Sequence, residues 1–174
     1  MTTLILTVAG ADRPGLVAAV ADLVDAHGGN WENSRLAELA GTFAGVIQIT
    51  VADERVGELQ TALRSLEGML ALTVTTASAS TGSDNADAAA DRLISVNVLG
   101  DDRPGIVREI SGVLSSHALS IRSMTTQTRD AAMAGGRLFE SAVTATIPAS
   151  ADLDALRADI EKLTHDLQVD IGIL

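Results

Sequence analysis

The chain of 174 residues has no cysteine and no tyrosine, and its only lysine is Lys162. Without cysteine there can be no disulfide framework, no thiolate metal ligand and no thiol nucleophile. Aromatic residues make up 2% of the sequence, so recognition of nucleic-acid bases by stacking is not expected. Positive charge is also scarce: 12 Lys and Arg stand against 23 Asp and Glu, a formal net charge of −11. Residues 1–76, 77–91 and 92–174 each carry an acidic excess. A phosphate-binding surface needs clustered Lys and Arg, so no direct contact with nucleic acid is expected. No apolar run reaches the roughly 18 residues of a membrane-spanning helix, and no membrane association is expected. The opening Met1-Thr2-Thr3-Leu4-Ile5-Leu6 lacks the basic start and long apolar run of a secretory signal. The expected location is the cytoplasm.

What the sequence does have is a repeat. Asp12-Arg13-Pro14-Gly15 recurs as Asp102-Arg103-Pro104-Gly105, preceded by Gly10 in the first copy and Gly100 in the second. The apolar series Leu16, Val17, Val20, Leu23, Val24, followed by His27, returns as Ile106, Val107, Ile110, Val113, Leu114, His117. The chain therefore consists of two copies of one unit, and its function is expected to use a pair of similar sites.

Each unit opens with a two-residue alternation: Leu4, Leu6 and Val8 in the first, Ile94, Val96 and Val98 in the second. That period predicts a half-buried strand. A helical period follows over residues 14–27 and 104–117. Residues 30–39, polar and mixed, lead through the tight Leu39-Ala40-Gly41-Thr42 to the alternating Phe43, Ile47, Ile49 and Val51. Phe139, Val143, Ala145 and Ile147 occupy the same phase in the second unit, after a longer connection from Asp130 to Gly136. A second helix is predicted around Leu59, Leu63 and Leu66, matched by Leu156, Ile160 and Leu163. Closing strands run through Leu70, Leu72, Val74 and through Leu167, Val169, Ile171.

The order strand-helix-strand-strand-helix-strand, given right-handed crossovers, predicts an α+β ferredoxin-like fold, twice over. Each copy is a four-stranded antiparallel sheet with two helices on one face. The expected domains are 1–76 and 92–174, joined by a linker at 77–91 in which Asp84 to Asp91 could form a helical turn. The uncovered sheet face, with Ile5, Leu36 and Val46 pointing to it, should be covered by a partner unit or subunit, which makes a homo-oligomer the expectation.

The turn after the first strand is the best candidate for chemistry. Its glycine admits close approach of a bound group, and helix N-terminal amides favour a carboxylate. Asp12 or Asp102 could meet the amino group of the same zwitterion. The same aspartate also reads as an N-cap accepting the N–H of Gly15 or Gly105, with Arg13 and Arg103 merely solvated. His27 and His117 read as helix-end caps, and so does His165. Three scattered histidines without paired-ligand spacing give no metal site and imply no cofactor. Trp31 is expected at the edge of the sheet or at an interface. Phosphate-loop, nucleophile-elbow, zinc-protease and dinucleotide signatures are all absent, so no catalytic residue is assigned and the chain is not read as an enzyme.

A strand ending in glycine, then Asp-Arg-Pro-Gly-(Leu/Ile)-Val and a helix, in the order β-α-β-β-α-β, resembles the ACT domain, a regulatory module that binds amino acids. Two copies with no attached enzyme or DNA-binding domain are most similar to the glycine cleavage system transcriptional repressor family. That resemblance implies a non-catalytic, amino-acid-binding regulator of glycine cleavage and one-carbon genes, acting through a protein partner such as a transcriptional activator. Glycine or serine is the implied ligand. Carried over residue by residue, the ligand loops are Gly10, Ala11, Asp12, Arg13, Gly15, Leu16, Val17 and Gly100, Asp101, Asp102, Arg103, Gly105, Ile106, Val107. Asp101 replaces Ala11, and Ser120-Ile121 replaces Asn30-Trp31, so the two sites are expected to be unequal. The alternative is a structural or scaffolding module with vestigial ligand loops. A formyl hydrolase bearing an N-terminal ACT domain would need a catalytic domain for which no residues remain.

Overall fold

The computed structural model describes residues 1–77, 91–131, 136–163 and 168–174. The chain forms two compact units that divide between Asp84 and Asn85. The first contains β1 (Thr2–Ala11), α1 (Leu16–Ala26), β2 (Asn30–Leu39), β3 (Thr42–Val51), α2 (Val56–Leu63) and β4 (Ala71–Thr76). The second contains β5 (Arg92–Asp101), α3 (Ile106–Ser116), β6 (Ser120–Asp130), β7 (Arg137–Ile147), α4 (Leu153–Glu161) and β8 (Gln168–Ile173). Each sheet is four-stranded, in the orders β2-β3-β1-β4 and β6-β7-β5-β8, and every described pairing is antiparallel. This is the expected ferredoxin-like arrangement, present twice.

The alternation of the first strand decides which sheet face is buried. Leu4, Leu6 and Val8 of β1 join Ile47, Ile49 and Val51 of β3 in one core, together with Leu16, Val20 and Val24 of α1 and Leu59 and Leu63 of α2. The second unit repeats this with Ile94, Val96 and Val98 against Ile106, Ile110 and Leu114 of α3 and Leu156 and Ile160 of α4. Both helices of a unit thus cover one face, and the side chains of opposite parity lie on the other. Leu66 falls just beyond α2, in a short 3-10 turn (Arg64–Leu66), yet still reaches the core.

Ile5 and half-exposed Val46 lie on the uncovered face, as expected. Leu36 does not. A bulge between Trp31 and Asn33 shifts the phase of β2 by one residue, placing Leu36 opposite Gly45 and against the core. A polar edge strand offers too few apolar residues to reveal such a shift, and an irregularity of one residue exchanges the two faces. Trp31, on that same edge strand, packs against the core.

The first hairpin is as tight as its sequence suggests. Ala40 and Gly41 have φ of 51° and 77°, the pair of positive values that a two-residue type I′ turn requires. At the longer connection, the Ala131 N–H donates to the Gly136 carbonyl at 3.0 Å. The possible turn within 84–91 falls almost wholly outside the described residues, as do His165 and Leu167.

Candidate functional site

The two Asp-Arg-Pro-Gly turns have the same backbone. Gly15 and Gly105 take φ of 92° and 89°, a left-handed conformation that suits glycine, and each immediately precedes a helix. The Asp12 N–H donates to the Gly41 carbonyl at 2.9 Å, and the Asp102 N–H to the Arg137 carbonyl at 2.8 Å, so each turn is tied to the start of the neighbouring strand. Neither helix has a side-chain N-cap. The N-cap reading of Asp12 and Asp102 is therefore overturned. The left-handed glycine itself occupies the capping position, and the carboxylates are left for other partners.

The site residues divide by depth. Gly10 closes the end of β1 against the chain before β4, where a β-carbon would stand 2.8 Å from the Met69 carbonyl oxygen. Ala11 and Asp101 end their strands opposite Thr42 and Leu138, and Gly100 pairs with Phe139. Leu16 and Ile106 place their side chains in the core, 3% and 4% exposed, leaving only their main chain to the turn. Val17 and Val107 are 43% and 42% exposed, one on each helix beside the turn.

The charged members differ between the units. Arg103 donates from Nη1 to Glu109 Oε1 at 3.1 Å and from Nη2 to Glu109 Oε2 at 2.5 Å, a two-point fork. That bond holds the Glu109 carboxyl below its ordinary value and raises the guanidinium above its own. Asp102 faces Arg137, with Nε to Oδ2 at 3.9 Å. Among the described residues, Arg13 and Asp12 form neither a side-chain hydrogen bond nor an ion pair. Single-residue inspection of the sequence did not find these partners. Comparing the two copies would have, because Glu109 stands where the first unit has Ala19 and Arg137 where it has Gly41.

His27 and His117 are helix-end groups. His27 Nδ1 donates to the Leu23 carbonyl at 2.8 Å, satisfying an acceptor of the last turn of α1. His117 Nε2 donates to Asp159 Oδ2 at 2.9 Å, tying the end of α3 to α4. Asp159 also accepts from Lys162 Nζ at 2.8 Å, and that bond, followed by the one from His117, holds its carboxyl below the ordinary range.

Two hollows lie on the uncovered sheet faces. A hollow of about 570 Å³ in the second unit is lined by residues that include Asn97, Thr125, Gln127, Glu140 and Asp170, and one of about 160 Å³ in the first by residues that include Ile5, Asn33, Arg35 and Val46. Neither reaches the turns. A small ligand at a turn would meet main-chain N–H groups and the charged side chains of the turn. No group of three or more His, Cys, Asp or Glu that could hold a metal ion occurs among the described residues. No helix among them is long and apolar enough to cross a membrane.

Comparison with known proteins agrees with this fold. Residues 2–76 and 94–161 each match an ACT-domain family. The chain is 25% identical over 164 residues to the glycine cleavage system transcriptional repressor of Escherichia coli (strain K12), covering 94% of this chain and 85% of that one. It is 38% identical over 66 residues to UPF0237 protein MK1213 of Methanopyrus kandleri, covering 37% of this chain and 73% of that one. A solved structure of an unknown protein from Galdieria sulphuraria superposes with a TM-score of 0.85 at 24% identity, covering 99% of this chain and 98% of the other. A second solved structure, provisionally described as a glycine cleavage system transcriptional repressor, has a TM-score of 0.66 at 21% identity, covering 99% and 97%. The chain belongs to the ACT-domain family, as a tandem pair with the architecture of the glycine cleavage system transcriptional repressors.

Proposed function

We propose that the chain is a non-catalytic regulatory protein that binds a small amino acid, glycine or serine first, and passes that binding on to a protein partner such as a transcriptional activator. The output is expression of glycine cleavage and one-carbon genes, in the cytoplasm, from a homo-oligomer of chains built as domains 1–76 and 92–174. One observation carries the reading: a left-handed glycine opens α1 and α3, and neither helix has a side-chain cap. The first-turn N–H groups, which have no intrahelical acceptor, are then available to a carboxylate, apart from that of Ile106, which donates to the Arg103 carbonyl at 3.4 Å. An aspartate and an arginine in the same turn complement both charges of a zwitterion. The likeness to the repressor over 94% of the chain supports the regulatory role. The acidic balance of the sequence favours protein contact over direct DNA contact.

Ligand binding would regulate only through different affinity for two arrangements of the protein. A ligand that binds the folded state and not the unfolded chain raises the melting temperature. A thermal-shift screen of the twenty amino acids at millimolar concentration should give a rise for glycine or serine. No shift with any of them would remove the sensing role and leave the scaffolding one.

A further inference from the structure

The two turns share a sequence but not an electrostatic state. In the second, each charged side chain of the turn already has a partner within the chain. Glu109 grips Arg103 at two points, and Arg137 stands 3.9 Å from Asp102. The first turn has lost both partners. Glu109 is the fourth residue of α3, and the fourth residue of α1 is Ala19. The residue whose carbonyl receives the Asp102 N–H is Arg137, and its counterpart for Asp12 is Gly41. A methyl group and a hydrogen atom stand where the second unit places a carboxylate and a guanidinium.

We propose that Glu109 is a built-in carboxylate occupying the place at Arg103 that a ligand carboxylate would take, so that each chain binds one amino acid, at the turn Asp12–Val17, while the turn Asp102–Val107 is held shut. This rests on the amino-acid-binding reading above and specifies which of its two sites works. A carboxylate matches a guanidinium through a two-point fork, and Glu109 makes that fork in full. It is tethered six residues from Arg103, so its effective concentration is on the order of millimolar or more, and a free amino acid must exceed that to displace it. The Arg137 cation beside Asp102 further disfavours a ligand ammonium group. Asp12 and Arg13 face no such competition among the described residues.

Two measurements on the full chain test this. Calorimetric titration with glycine and with serine should give one site per chain, lost in Arg13→Ala, retained in Arg103→Ala, and raised to two in Glu109→Ala. Two sites in the unaltered protein, or loss in Arg103→Ala with retention in Arg13→Ala, would overturn the proposal. Phenylglyoxal labelling followed by peptide mass spectrometry needs no ligand. Arg103 should react about fivefold more slowly than Arg13, the order of protection that a two-point ion pair gives at a surface, and should catch up in Glu109→Ala. Equal rates in the unaltered protein would overturn the closure. If labelling differs as expected but neither the unaltered protein nor Glu109→Ala binds an amino acid, the amino-acid-binding reading has failed, and the proposal falls with it.

Discussion

Leu36 lies across the backbone of Gly45, its registered partner on β3: a β-carbon on Gly45 would stand 2.8 Å from the Leu36 Cα and would also strike the Arg35 carbonyl oxygen. Both obstacles are main-chain atoms of the neighbouring strand, so relief requires β2 to move. Gly45→Ala should therefore destabilise the first unit by about 1–3 kcal/mol, the range of overpacking in a well-packed core. Urea unfolding followed by circular dichroism would measure it. An unchanged midpoint would mean that β2 is not held so closely.

The second unit carries Ser141 at the position matching Gly45, opposite Thr126. Ser141 is 4% exposed, and its hydroxyl has no hydrogen-bond partner among the described residues. A buried donor left unmatched costs about 1–3 kcal/mol, and alanine removes it while keeping the β-carbon. Ser141→Ala should raise the unfolding free energy by about 1 kcal/mol. A loss of stability would place a partner on that hydroxyl.

Ala118 follows the end of α3 with φ of 58°, the place that Gly28 holds after α1 with φ of 67°. The left-handed conformation costs a non-glycine residue about 1 kcal/mol, part of which glycine returns as greater freedom in the unfolded chain. Ala118→Gly should stabilise the second unit by about 0.5 kcal/mol, measurable as a shifted urea midpoint.

The position of Ala118 illustrates what the sequence revealed and what it withheld. Its apolar periods located β1, α1 and β3 and their counterparts, because two-residue and helical patterns depend only on which face is buried. How α3 ends was not legible, since alanine there announces no left-handed turn. The inward placement of Leu36 was hidden by a one-residue bulge in a strand whose charged and polar residues give no phase. At the candidate site, the Asp-Arg-Pro-Gly motif marked the right turn, but its aspartate resembled a cap. The capping position went instead to Gly15 and Gly105, whose φ values are not written in the motif. The pairing of Arg103 with Glu109 required the copies to be compared position by position, where Ala19 stands for Glu109.

That ion pair also predicts a pH dependence. Arg103 holds Glu109 below its ordinary value of 4.5, and Arg129 followed by Gln127 does the same to Glu140. Each carboxyl binds its proton less readily folded than unfolded, so unfolding takes up protons and stability rises with pH. The contribution is complete above the ordinary range and is lost as the pH falls from about 4.5 through the lowered folded values. The urea midpoint should accordingly fall between pH 5 and pH 3, and less steeply in Glu109→Gln. A slope unchanged by that substitution would mean that the pair is not maintained in solution.

α4, which has a side-chain cap, supplies a contrast with the two helices that open at the turns. Asp152 Oδ1 accepts from the Asp154 N–H at 2.9 Å and from the Ala155 N–H at 3.1 Å, satisfying two donors at the start of α4. Asp152→Ala should cost about 1 kcal/mol, the usual loss for an N-cap carboxylate. Asp12→Ala removes a carboxylate that caps nothing, and its effect on unfolding should stay within about 0.5 kcal/mol, as for other exposed substitutions. If Asp12 were instead the cap of α1, the two variants would lose similar stability. Denaturant curves of the pair, measured together, separate a carboxylate that holds a helix from one left free for a ligand.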